Sequence, residues 1–439
     1  MSKSSYLAHP IDPTSAERMS TAGLRMQLLD ITDTVAYDAW LSATTRGFHG
    51  GRPNDERQKA TREGIAYRRN TGVWDDASTE ELEPVGTVDS WPGRLGIPGG
   101  RTIESWAVSM VTVAPTHSGR GIARALLEAE LRTAGALDIP MAMLTVSEST
   151  LYRRYGFAPA AMAADYEIDT KRVSWSGPIP DGRVEFTSLE VFRDGWAAMH
   201  ERLVPSLIGE IDVWPLRAAQ IAGTSTDDEE RAKNLRAIRY LDADGTVAGY
   251  AIYRVKGDDH DFTSHTLNVE YLITETPDAY AALWRYLLSV PLVEKVTAQL
   301  RSVDEPVRWM ITDWRAATAK TWEHQYLRIL DVKACLEGRG YLTPGEIVFD
   351  VTDDLGFAGG RWQFSIDQDG VGRVSEAAKD SKTPALELGV AELSALYLGG
   401  VRATTLLAAG RLRESTPGAA VLADVLMQSE KTPYLSIWY

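Results

Sequence analysis

The chain has 439 residues, 44% of them hydrophobic, with 13 Trp and a formal net charge of −15 from 61 acidic and 46 basic side chains. That length accommodates two or three domains of roughly 150 residues each, with ample apolar side chains for their cores, and the acidic balance argues against nucleic acid or an anionic membrane as the main partner. No apolar run approaches the ~18 residues of a membrane span, the N-terminus lacks an apolar signal core, and the single cysteine, Cys335, excludes internal disulfides and fits a reducing cytosol. The seven histidines show no metal-ligand spacing, so no metal is expected.

Residues 1–23, MSKSSYLAHPIDPTSAERMSTAG, read as a polar, loose tail. Leu24 to Ile31 reads as a first strand, followed by a helix to about Thr45. Residues 48–60 are loop-like and then polar and helical. Strands are expected near Val85–Val88 and Arg101–Val113, with the turn WPGRLGIPGG between them. The apolar run ends at Pro115, and Ser118-Gly119-Arg120-Gly121 turns the chain into a helix starting near Ile122. Such a turn leaves several backbone N–H groups unpaired at a helix N-terminus, an anion site reinforced by the helix dipole. Gly119 and Gly121 let the backbone approach a phosphate closely, and Arg120 and Arg124 add charge. Within the helix, Ile122 and Leu126, and Ala123, Leu127 and Leu131, share an apolar face. Arg124, Glu128 and Arg132 form an i, i+4 ladder on another. The alternative reading is an ordinary strand–turn–helix.

Met141 to Ser147 then reads as a buried strand. Ser149 or Thr150 is the expected cap of a helix of one to two turns that stops at Gly156. That helix carries Tyr152 and Tyr155. A neutral tyrosine, with a reference pKa of about 10, can deliver a proton to a thiolate near neutral pH. The alternative is that both rings only pack.

A second unit begins near Asp165. Its residues 246–288 read as strand, hairpin, strand and helix. The corner Thr274-Glu275-Thr276-Pro277-Asp278 repeats the strand-to-helix pattern without glycines, and its two carboxylates would repel a phosphate. A third unit, from about Asp331, has short strands at Glu346–Val351, Arg361–Ile366 and Gly372–Ala377. A strand-to-helix segment and a further helical stretch follow over 386–412, and then the aromatic end TPYLSIWY.

Ser118 to Ala123 resembles the phosphate-binding motif of the GNAT superfamily of acyl-CoA N-acyltransferases, and Tyr152-x-x-x-Gly156-Phe157 resembles its second signature. With AIYRV, AALWRYL, WEHQYLRILDVKACLEGRGY and LSALYLGGVRATTLLAAGRLR, the chain from about Leu24 to Tyr439 resembles the Eis (enhanced intracellular survival) family of N-acetyltransferases. The resemblance implies an α/β (α+β) architecture. After the tail 1–23 it expects a catalytic GNAT domain at 24–164, a degenerate GNAT-like domain at 165–330, and a sterol-carrier-protein-like domain at 331–439. It implies acetyl-CoA as co-substrate, an amine as acceptor, and a homohexamer built as a trimer of dimers. It carries the proton donor onto Tyr152 and the proton acceptor onto the terminal carboxylate of Tyr439, with a reference pKa of about 3.5. It carries CoA contacts onto Val111, Thr112 and Val113, onto Gly119, Arg120, Gly121, Ile122, Ala123 and Arg124, and onto Ser147 and Glu148.

Two departures bear on the chemistry. Ser118 stands where the family has Arg or Gln, which removes one expected phosphate contact. Around Phe48 and Trp438, the expected acceptor contacts, Gly50 and Trp438 occupy positions that are acidic in aminoglycoside-acetylating members. A polycation would lose two partners, so the expected acceptor is less polycationic or more aromatic, with Glu56, Glu63 and Glu104 as the nearby acidic candidates. The competing reading is a ligand-binding or scaffold protein with a vestigial acyltransferase site. The retained glycine turn beside Tyr152 discriminates against it.

Overall fold

In a computed structural model of the chain, residues 6–51, 53–79, 83–225, 229–257 and 264–439 are described. They divide into two units, one of residues 1–161, 325–431 and 439, the other of residues 162–324 and 432–438.

The first unit begins with a helix where a loose tail was expected. Asp12 caps α1 (Pro13–Thr21), its carboxylate taking the Ser15 N–H at 2.8 Å, and Pro13 sits in the first turn. Met19 is fully buried. The partner is the charged ladder on α4 (Ile122–Ala136). Glu128 pairs with Arg18 at 2.9 Å, and Arg132 pairs with Asp12 at 2.7 Å. The expected i, i+4 pairs also form, Glu128 with Arg124 at 2.6 Å and with Arg132 at 2.9 Å, so the same charges support α4 and dock α1.

The sheet of this unit runs β1 (Arg25–Leu28), β2 (Arg69–Trp74), β3 (Gly86–Ile97), β4 (Arg101–Val113) and β5 (Met141–Thr145). Neighbours are antiparallel except β4 and β5. Residues 325–329 then pair antiparallel with β5, Gln325 opposite Thr145. The turn expected over 91–100 is shorter than its composition suggests. Trp91, Pro92 and Gly93 continue β3, with Pro92 opposite Trp106. Pro92 is tolerated because β2 stops at the Arg69–Ser90 pair, which leaves this part of β3 with one strand neighbour. Helix α2 (Thr34–Gly47) is capped by Asp33 and buries Tyr37, Trp40 and Leu41, the indole N–H of Trp40 reaching the Thr71 carbonyl at 3.0 Å. Helix α3 (Asp55–Ile65), capped by Asn54, is the polar helix expected there.

The same unit contains a five-stranded sheet in the order Gly372–Glu376, Gly360–Ile366, Gly345–Thr352, Ala385–Gly389 and Leu412–Glu414. Phe349, Phe364 and Leu386 fill its core, all fully buried. The helical stretch expected after 401 is Ala403–Ala408, and the helix Ala419–Leu426 follows.

In the second unit, the strands Val247–Lys256 and His265–Thr274 pair antiparallel, and the helix Pro277–Leu288 follows. The expected hairpin turn at 258–263 lies outside the described residues. Thr276 caps the helix through the Ala279 N–H at 3.1 Å. The helix buries Leu283, Trp284 and Leu287 in a core that includes Leu267 and Val296. Among the described residues no helix is long and apolar enough to cross a membrane, and no group of three His, Cys, Asp or Glu could hold a metal ion.

Candidate active site

The site starts with an irregularity in β4. Thr87 pairs with Thr112 and Asp89 with Ser109, so three steps on β4 oppose two on β3. The extra residue is Met110, at φ 51°, a bulge that re-aims the strand. The β5 partners lie upstream of it, at Trp106 and Ala107. Downstream, Val111, Thr112 and Val113 line a cleft of about 820 Å³. The end of α2 closes on it. A Cβ at Gly47 would lie 2.4 Å from the Thr112 Cβ, so only glycine permits this approach, and it brings Phe48 into the wall.

The glycine turn forms the next side. Gly119 and Gly121 stand at φ 78° and 79°, in the left-handed region. A Cβ at either would meet no atom within 4 Å, so the space above both is open. Helix α4 starts at Gly121 with no side-chain cap on its first-turn N–H groups. Gly119, Gly121, Ile122, Ala123 and Arg124 all line the cleft. This is an uncapped helix N-terminus with glycines at its approach, and it suits the pyrophosphate of a coenzyme A thioester. Arg124 shares its Nε–H with Glu128 at 2.6 Å and remains 61% exposed.

Arg120 is placed differently from the expectation. It does not line the cleft. Its guanidinium donates to Asp75 at 3.1 Å and to the Ala22 carbonyl at 2.9 Å. The Asp75 carboxylate also takes the His117 imidazole at 3.0 Å. The His117 hydrogen bond, the Ala77 N–H and Arg120 together hold the Asp75 pKa at about 2. His117 and Ser118 line the cleft.

Ser147, Glu148, Tyr152 and Tyr155 complete this side. The expected helix is a single tight turn, Tyr152–Tyr155, without a side-chain cap. The Thr150 hydroxyl bonds Glu148 instead, at 3.0 Å. Gly156, at φ 87°, ends the turn as expected. Tyr152 is 6% exposed, its ring edge-on to Phe157 and tilted against Tyr326. Burial, followed by the negative charge of Glu148, raises its pKa above the usual tyrosine value, so the phenol stays protonated.

Tyr439 belongs to the same unit but is not among the residues that line the cleft. Its carboxyl oxygen takes the Thr145 hydroxyl at 3.0 Å, two residues before Ser147. Its phenol donates to Gln325 at 3.2 Å, and its ring stands edge-on to Trp91 at 5.8 Å. Trp438 does not line the cleft. Its ring packs edge-on against His324 at 4.4 Å within the other unit. Glu56, Glu63 and Glu104 are exposed and are likewise absent from the cleft wall. Arg154, Asp354 and Leu355 line the cleft without having been singled out in the sequence. Arg154 is adjacent to the tyrosine signature, but Asp354 and Leu355 lie some 200 residues downstream of it, beyond any local pattern.

A splayed strand, an uncapped glycine turn and a buried tyrosine around one cleft define the class, an acyltransferase of the GNAT type. Residues 31–160 and 213–329 each match a family described as acetyltransferase (GNAT) domain, and residues 332–436 match the sterol carrier protein domain. An uncharacterised N-acetyltransferase of Streptomyces coelicolor is 33% identical over 91% of this chain and 96% of its own length. N-acetyltransferase Eis of Mycobacterium bovis is 31% identical over 81% of this chain and 87% of its own. The crystal structure of Eis1 from Mycobacterium abscessus superposes with a TM-score of 0.79 at 26% identity, over 94% of this chain and all of that one. The chain belongs to the Eis-like family of GNAT N-acetyltransferases, with two GNAT domains followed by a sterol-carrier-protein-like domain. That fold implies acetyl-CoA as co-substrate.

Proposed function

We propose that the protein transfers an acetyl group from acetyl-CoA to a primary amine by direct attack within a ternary complex. The observation that carries the reading is a single cleft lined by both the uncapped Gly119–Arg124 turn and the phenol of Tyr152. In the proposed scheme Val111–Val113 align the pantetheine arm, and the backbone of 119–124 holds the pyrophosphate, with Ser147 and Glu148 alongside. Tyr152 gives its proton to the departing thiolate. The amine's proton passes to the Tyr439 carboxyl group, which the Thr145 hydroxyl holds.

For the acceptor we propose an amine with few positive charges and an apolar or aromatic body, in contact with Phe48. Trp91, which meets the Tyr439 ring, carries the Arg68 guanidinium 3.8 Å above its own ring. Arg68 is itself buried and paired with Asp89 at 3.0 Å. The surroundings of the Tyr439 ring are thus aromatic and already hold a cation, and Gly50 adds no carboxylate. An aminoglycoside would find fewer partners there than a monoamine. The homohexamer and a cytoplasmic location are proposed from the family resemblance.

The test is thiol release from acetyl-CoA against aminoglycosides, polyamines, lysine peptides and aromatic amines, with wild type and Tyr152→Phe. Losing a general acid lowers kcat by about 10²–10⁴-fold, while the Phe ring keeps the contacts with Phe157 and Tyr326. We expect that loss, with the KM for acetyl-CoA within about twofold. Unchanged kcat in Tyr152→Phe removes Tyr152 as the acid. No binding of acetyl-CoA by calorimetry removes the enzyme reading.

A further inference from the structure

Residues 332–436 match the sterol carrier protein domain. Here it shares a unit with the first GNAT domain and reaches the cleft. Asp354 and Leu355 stand in the same wall as Arg154 and Tyr155. The loop that brings them there is wound around one carboxylate. Asp353 takes the N–H groups of Leu355, Phe357 and Ala358 at 3.1, 2.9 and 2.8 Å.

Asp353 is also bound to Arg328 at 2.7 Å, with the two side chains 2% and 0% exposed. The same guanidinium donates Nε–H to the carbonyl of Tyr155 at 3.2 Å and lies over the ring of Phe357 at 4.9 Å. One buried cation therefore ties the last carbonyl of the Tyr152 turn to the loop lining the cleft. The docking is close. A Cβ at Gly156 would lie 2.8 Å from Val390 and 3.1 Å from the Arg328 Nε. Beside it, the exposed Arg153 of the tyrosine turn pairs with the buried carboxylate of Glu392. A fully buried ion pair is weak evidence for stability, and fixing one geometry among several is its better-attested use.

We propose that the C-terminal domain is a working part of the acyl-CoA site. Leu355 is a cofactor-binding wall residue, and Arg328, Asp353 and Glu392 are positioning residues for the turn that carries Tyr152. The proposal rests on the acetyl-CoA reading of the cleft. It adds, to the terminal carboxyl group proposed above as proton acceptor, a second contribution of this domain, in cofactor binding and in placing the proton donor, that requires no ligand of its own.

Both partners of the Arg328–Asp353 pair are buried, so the test uses Leu355 and the Arg153–Glu392 pair, whose arginine is exposed, in the full-length chain. Leu355→Ala should weaken acetyl-CoA binding by about five- to tenfold in calorimetry and raise its KM equally, leaving kcat unchanged. Glu392→Gln should do the reverse, lowering kcat by about tenfold through a misplaced proton donor with the KM for acetyl-CoA held. The exchanged pair Arg153→Glu with Glu392→Arg should restore most of kcat. Wild-type affinity in Leu355→Ala together with wild-type kcat in Glu392→Gln overturns the proposal while leaving the cleft reading intact. A wild-type chain that does not bind acetyl-CoA overturns both.

Discussion

Replacing Gly121 with alanine separates the phosphate cradle from the fold. Gly121 stands at φ 79° and begins α4. An alanine held in the left-handed region costs about 1–2 kcal/mol. No steric charge is added, because the new Cβ meets no protein atom within 4 Å. The melting temperature should therefore fall by only a few degrees. Binding should suffer more. The open space above Gly121 is where an anion would meet the uncapped first turn of α4, and a methyl group there holds it away from those N–H donors. A hydrogen bond to a charged group contributes about 1.5–3 kcal/mol, so losing one weakens acetyl-CoA by about 10- to 100-fold. The assay is calorimetry with acetyl-CoA and, in parallel, with acetyl-pantetheine, which lacks the pyrophosphate. Gly121→Ala should lose affinity for the first and keep it for the second. Wild-type affinity for acetyl-CoA, or an equal loss for both ligands, would refute the assignment of this turn to phosphate.

The two arginines of the turn should behave differently. Arg124→Ala should raise the KM for acetyl-CoA severalfold, whereas Arg120→Ala should move it less than about twofold, since its guanidinium is already engaged by Asp75 and the Ala22 carbonyl; steady-state kinetics at two salt concentrations decides. Adding one residue after Tyr439 should displace the carboxyl group from Thr145 and reduce kcat by about 100-fold at constant acetyl-CoA affinity; full activity would end that role. Stability should also depend on pH through His324. Burial lowers its pKa to about 4, while its Nε2–H donates to the Ile437 carbonyl at 2.9 Å. Because the folded value lies below the unfolded one, the unfolded chain binds the extra proton. Stability is therefore full above about pH 6.5 and falls as the pH drops toward 4, by about 3 kcal/mol. His324→Gln keeps a donor for Ile437 without titrating, and chemical denaturation of both proteins across that range should show a steeper fall in wild type than in the variant.

What could be read in advance divides by chain distance. The glycine turn was legible because it is a local pattern whose chemistry depends on its own backbone, whereas Tyr152 and the strand Val111–Val113 were singled out by the family resemblance. The left-handed glycines need no partner to reveal themselves. The charged ladder of α4 was equally visible, but its use was not. Nothing near Arg124, Glu128 and Arg132 says that Arg18 and Asp12 will dock there, and the polar composition of residues 1–23 argued for a free tail. Pro92 misled for a related reason. Proline marks a turn unless the strand beside it has ended, and the end of β2 at Arg69 is a fact of the sheet, not of the segment. The hidden part of the site follows the same rule. Asp353 looks like one more loop carboxylate until Arg328, the Tyr155 carbonyl and three loop N–H groups are brought to it. A buried charge is held in place by partners remote in sequence. The residues proposed to position Tyr152 are thus the ones a linear reading passes over.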